Sequence, residues 1–201
     1  IWLEKMNNNY HYIIAGLPDI VPDFGSQQFS YQEISAHIRA NLSKKDNKLV
    51  DWLEYGLCEE NLSHYFYHKA EKSPNKFISA YFAFDRFLRN AQVAHLSKTL
   101  GKEGEKYIMG ELDIENDDYQ EISKIFEISN IIEREQALDK LRWRKIAQIN
   151  LYHYFDIDVI LAFLLKGKIV ERWIKLDQAK GAELFEQYVS EVRGTFTGIN
   201  F

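Results

Sequence analysis

Residues 75–100 read NKFISAYFAFDRFLRNAQVAHLSKTL. Phe77, Tyr81, Phe84, Leu88, Ala91 and His95 recur at steps of four and three, which puts them on one side of an α-helix. Asp85, Arg86, Arg89 and Gln92 fall mostly off that stripe. Gly101 closes the pattern, because glycine is the residue that most readily ends a helix. At 1.5 Å per residue the helix is about 39 Å long, enough to run the length of a domain. So long an apolar stripe must be covered by other elements, and the flanking sequence supplies helices to do it.

On the N-terminal side, Ser30 and Glu33 have the spacing of a capping box, in which two side chains satisfy opposite backbone donors. Ile34, Ile38 and Leu42 then form one face of a helix. A second helix spans Ser43 to Tyr55, with Leu49, Trp52 and Leu53 as its apolar side and Gly56 suited to its C-terminal cap. A third covers Glu59 to Glu71, before Ser73-Pro74. The opening Tyr10-His11-Tyr12-Ile13-Ile14-Ala15-Gly16-Leu17-Pro18 is aromatic and β-branched, and Pro18 and Pro22 interrupt it. A short strand or extended segment and the first turns of a buried helix both fit it.

On the C-terminal side, residues 101–118 carry three glycines and the acidic run from Glu111 to Asp118. This stretch reads as the main loop and as a hinge between halves. Helix resumes near Tyr119, and Asn130 with Glu133 marks a capped start for Ile131 to Tyr154. Phe155 to Leu176 holds the most apolar run, with Gly167 as a potential bend. A last helix runs from Asp177, a candidate N-cap, to Arg193. The reading is mainly α, a bundle-like multi-helix domain over residues 6–201 with a short extended or strand segment at its start. It divides into lobes 6–101 and 119–201 joined by 101–118. Met6 reads as a natural start, so the first five residues are left out of the fold reading.

Composition restricts the function classes. The chain has 201 residues, enough to bury about 70% of its unfolded surface in one core. Its aromatic share is 14%, a surplus that suits an aromatic core or an interface. The net charge is −5, which disfavours duplex binding driven by phosphate neutralisation and leads to no nucleic-acid partner. Cys58 is the sole cysteine, so an intrachain disulfide and a cysteine-built metal site are both excluded. Its expected state is a buried, inert thiol. The apolar run Val159 to Leu165 is far shorter than the roughly 20 residues of a spanning helix. The single cysteine fits a reducing compartment, and the expected location is cytoplasmic.

Residue chemistry offers three candidate sites. His64 and His68 share a helix face and, with Glu60 or Glu71, offer the ligand types of a zinc site; the intervening residues lack the metalloprotease glutamate. Asp113, Glu115 and Asp117 follow calcium-loop spacing, but Asp118 and Lys124 stand where glycine and glutamate are needed. A solvated loop that places negative charge at the next helix's N-terminus accounts for them better. Lys140 to Lys145 is basic around Trp143, and its charges point to different faces of a helix. No G-x-S-x-G, Walker or G-x-G-x-x-G signature occurs. No cofactor, metal or catalytic residue is assigned, and the expectation is a non-enzyme.

Three segments carry a resemblance. Tyr10 to Asp19, Phe84 to Leu100-Gly101, and Asp158 to Trp173 resemble an uncharacterised bacterial family whose members are typically encoded beside V-type ATPase subunits. The last two are also similar to pieces of the V-type ATPase central-stalk subunit, called C in bacteria and d in eukaryotes. That subunit is all-helical and funnel-like; it sits on the membrane rotor ring and receives the central shaft. Asp85, Asn90 and Gly101 occupy places comparable to its repeated acidic residue, asparagine and glycine. Val159 to Leu165 with Glu171 and Arg172 compare to its apolar run followed by a glutamate and a base. This chain is shorter, with room for two of the three repeated units, and Ala91 follows Asn90 where the family has leucine. The resemblance implies an accessory or central-stalk subunit that couples the rotor shaft to the membrane ring. Contact residues expected on that basis are Tyr65, Phe66 and Tyr67 and the acidic Asp113, Glu115, Asp117 and Asp118. The alternatives are a metal-dependent helical enzyme using His64 and His68, and an unrelated interaction adaptor.

Overall fold

The computed structural model describes residues 10–22, 29–101 and 103–196, with side chains through Asp177 apart from Glu105. Eight α-helices and two 3-10 turns make up its regular structure, and no strand occurs among the described residues. The helices are α1 (His11–Ala15), α2 (Tyr31–Asn41), α3 (Lys44–Gly56), α4 (His64–Glu71), α5 (Lys76–Leu100), α6 (Asp117–Phe126), α7 (Ile131–Ile149) and α8 (Ile157–Phe196). The opening segment, for which strand and helix were both open, forms the short α1 followed by irregular chain through Pro22. Tyr10 N–H donates to the Phe155 carbonyl at 2.7 Å and ties this turn to the entry of α8.

Side-chain caps set most of the helix starts. Ser30, Ser43, Ser63, Asn75, Asn116 and Asn130 each accept a backbone N–H from the first turn of the helix that follows, which satisfies donors that a helix cannot satisfy itself. Gly101, at φ 61°, is the left-handed stop of α5. Three boundaries differ from the sequence reading. Glu59 to Glu71 is a 3-10 turn (Glu59–Asn61) and then α4, because Ser63 is extended and caps a new helix. The helix expected to reach Tyr154 ends at Ile149. The two C-terminal helices are one, α8, with Asp177 inside it and not at its start.

Two apolar clusters stabilise the fold. The first joins α1 to α4, the N-terminal half of α5 (Phe77, Ile78, Tyr81, Phe82), Ile146 of α7 and the Ile157–Trp173 face of α8. The second joins Phe84, Leu88 and Ala91 of α5 to α6 and to Leu138 and Leu141 of α7. Both therefore draw on residues from either side of the 101–118 segment. Phe66, Phe77 and Phe82 are almost fully buried, each worth roughly 1.5–3 kcal/mol relative to exposure. Phe66 meets Phe82 edge to face at 4.9 Å.

Gly56 explains how α3 fits this packing. A Cβ there would lie 2.3 Å from Phe66 Cζ and 2.4 Å from Phe82 Cζ, so the glycine lets α3 approach α4 and α5. It does not supply a left-handed cap: Gly56 is the last helical residue, and the C-cap is Leu57. Gly167 has a similar use, since its missing Cβ leaves room for Phe29 and Tyr31 at 2.9 and 3.3 Å. It lies within the unbroken α8.

Candidate functional site

Where the two clusters meet, α5, α7 and α8 bring buried charge together. Asp139 of α7 is 2% exposed and accepts from Arg142 Nη1 at 2.7 Å, from Arg172 Nη2, and from Trp173 Nε1 at 2.8 Å. Asp85 of α5, 7% exposed, accepts from Tyr67 Oη of α4 at 2.6 Å and from Arg89 Nε at 3.0 Å. Burial, helped by Asp85, pushes the Tyr67 and Tyr81 hydroxyls well above the usual phenol range. Arg89, Arg142, Asp85 and Asp139 all act on Tyr81, which lines the same cleft as both ion pairs. Burial alone would lower the Arg142 pKa, but Asp139, Tyr81 and Asp85 outweigh it and hold it above its ordinary value. Tyr81, Asp85, Arg89, Asp139, Arg142 and Arg172, with Lys168 and Glu59, line a cleft of about 270 Å³.

Asp85, Arg89 and Arg172 fall within two of the segments that carry the resemblance, and they converge on this cleft. The sequence signal for it was the off-stripe charge on α5; that Asp139 and Arg142 complete it needed the tertiary packing. Asn90, 1% exposed, has a different use. Its Nδ2 donates to the Met109 carbonyl at 3.0 Å and its Oδ1 accepts from Met109 N–H at 2.9 Å. Arg86 Nη1 donates to the same carbonyl at 2.6 Å. The segment read as a hinge is thus fastened to α5 at its centre.

The expected contact residues separate. Phe66 and Tyr67 are 2% and 1% exposed and belong to the core, so they are no contact surface; Tyr65 alone of the three is at the surface, 70% exposed. The reason is helical geometry: the arc of α4 that holds Phe66, Tyr67 and Ala70 is buried, and Tyr65 lies outside that arc. Asp113, Glu115 and Asp117 are exposed. Asp118 is half-buried and pairs with Lys145 at 2.6 Å. Asp117 and Asp118 begin α6, where carboxylates favour the helix N-terminus.

His64 and His68 are both exposed, and Glu71 faces Arg86 Nε at 2.6 Å instead. Among the described residues the metal-ligating side chains that gather are His153, Asp156 and Asp158, with ligand atoms within 4.8 Å of one another. Sequence reasoning missed this group, although its H-x-x-D-x-D spacing was visible. Its members are hydrogen-bonded within the chain: His153 Nδ1 lies 2.6 Å from Asp156 Oδ2, Asp156 Oδ1 accepts Asp158 N–H, and Asp158 accepts from Nδ2 of Asn75, the N-cap of α5, at 2.5 Å. The Asp156 hydrogen bond raises the His153 pKa. The basic run is largely engaged within the chain. Arg144 pairs with Glu121, Arg142 with Asp139 and Lys145 with Asp118. Cys58, expected to be buried, is exposed beside the 3-10 turn. No helix among the described residues is long and apolar enough to cross a membrane.

A family model described as "Protein of unknown function (DUF2764)" matches residues 6–57 and 53–195. No curated protein and no solved structure matches the chain.

Proposed function

The chain belongs to the DUF2764 family, and we propose that it is a non-catalytic subunit or accessory protein of a V-type ATPase, coupling the rotor shaft to the membrane ring. The observation that carries this reading is the cross-bracing of its helices by buried charge. A coupling subunit must pass torque without deforming. Asp139 links α7 to α8, and Asp85 links α5 to α4. A buried carboxylate with several partners permits few alternative arrangements, because any rotation of one helix strands charge away from water. The resemblance of two segments, Phe84 to Gly101 and Asp158 to Trp173, to the stalk subunit supports the same reading. So does the acidic surface of Asp113, Glu115 and Asp117, which Asn90 and Arg86 hold in place through Met109. Such a surface suits a basic shaft tip, since charge complementarity sets orientation and association rate.

The test is a native pull-down of the tagged protein from gently solubilised membranes of its own source, read by mass spectrometry. Near-stoichiometric recovery of shaft and ring subunits is expected. Recovery of no ATPase subunit from an otherwise intact complex would overturn the reading in favour of an unrelated adaptor.

A further inference from the structure

The cleft between the two cores has a charge balance opposite to that of the chain. Arg89, Arg142, Lys168 and Arg172 line it, against Glu59, Asp85 and Asp139, whereas the chain as a whole carries −5. The two buried carboxylates are already engaged: Asp85 by Tyr67 and Arg89, Asp139 by Arg142, Arg172 and Trp173. Their negative charge is therefore largely neutralised within the protein. The bases keep capacity. A guanidinium has five N–H donors. Arg142 has one hydrogen bond, through Nη1 to Asp139. Arg89 has one, through Nε to Asp85, and its Nη1 is 3.7 Å from the exposed Glu59, beyond hydrogen-bond length. Lys168 uses one of its donors on Glu171 at 3.0 Å.

We propose that this cleft binds a small tetrahedral oxyanion, inorganic phosphate or a compact phosphate monoester, between Arg89, Arg142 and Lys168. Planar guanidinium forks with spare donors match phosphate oxygens. Tyr81, which lines the same cleft and whose hydroxyl makes no side-chain hydrogen bond among the described residues, adds a neutral donor. The volume of about 270 Å³ lies just under the usual range for small-molecule sites and has room for a phosphate-sized ligand. The site is independent of the coupling role.

The experiment is calorimetric titration of the full chain with inorganic phosphate at low ionic strength, with chloride at matched ionic strength and succinate as comparison arms. One saturable phosphate site per chain is expected. Arg89→Gln and Lys168→Gln, both at the accessible rim, should each weaken it at least tenfold, while Lys140→Gln on the exposed face of α7 leaves it unchanged. Arg142→Lys, which keeps the charge and removes the fork, should also weaken it. A readout that needs no variant is the melting temperature of the unmodified protein, which phosphate should raise and chloride should not. Absence of saturable binding overturns the proposal. So does equal stabilisation by chloride, binding of succinate in preference to phosphate, or affinity that survives both rim substitutions.

Discussion

Asp139 shows what one buried charge does here. At 2% exposure it accepts from two arginines and an indole. Asp139→Asn keeps an acceptor oxygen but removes the counter-charge of Arg142 and leaves Arg172 paired with Glu135, at 3.3 Å. Stability should fall by about 2–3 kcal/mol, below the loss for a fully buried pair because both arginines reach solvent. Urea denaturation checks this: the midpoint should drop with the slope unchanged. His153 gives the pH dependence. Its hydrogen bond to Asp156 raises the folded pKa above the ordinary value of 6.5, and Asp158 adds to it. The folded state then holds the proton more tightly than the unfolded one. The resulting stabilisation is complete below pH 6.5 and is lost as pH rises through the higher folded value. His153→Gln should flatten the stability–pH curve over that window, measured by melting temperature from pH 6 upward. The effect should be small, because the ring is about a third exposed and solvent screens it. At this scale the chain was only partly readable. Caps such as Ser30 and Asn130 act within one turn of sequence, whereas two of Asp139's three partners, Arg172 and Trp173, lie 33 and 34 residues away.

Helix contacts are decided by what fits between elements. Gly56→Ala should gain about 1 kcal/mol of helix propensity. The new methyl, however, would sit 2.3 Å from Phe66 and 2.4 Å from Phe82, both core rings. Overpacking of that kind costs about 3 kcal/mol at the upper end, so the net loss should be about 2 kcal/mol, or roughly 4–8 °C in melting temperature for a chain of this size. A stabilised variant would mean that the rings move aside freely. The loop before α6 depends on Asn90. Asn90→Ala removes both bonds to Met109 at a 1% exposed site and should cost about 2 kcal/mol. Hydrogen exchange at the Met109 amide should accelerate well before that of the α5 core. The sequence showed an asparagine on a buried helix and a glycine-rich acidic loop; nothing local tied one to the other. It also split α8 at Asp177, because a polar residue after an apolar run reads as a cap. The helix continues there because α8 is propagated from its packed N-terminal half, and extending a helix is far cheaper than starting one.

For the molecule as a whole, the consequential question is which surface meets a partner. Reversing Asp113, Glu115 and Asp117 to lysine should weaken binding of the rotor shaft about tenfold at low salt and less at high salt, as expected of exposed charge. Asp118 is left in place because it pairs with Lys145. Unchanged affinity at low salt would remove the electrostatic part of the coupling proposal. The mainly helical class, the long α5 and its stop at Gly101, the capped starts at Ser30 and Asn130 and the solvated acidic loop were all legible in the chain. Each depends on spacing or on a residue's own conformational preference, which acts over a few positions. Three things were settled only by packing: that Phe66 and Tyr67 face inward while Tyr65 faces out, that Gly56 is a contact point and not a cap, and that α5, α7 and α8 enclose a charged cleft. These depend on which helix lies against which. That choice is made by burial summed over the whole chain, and no short window of sequence contains it.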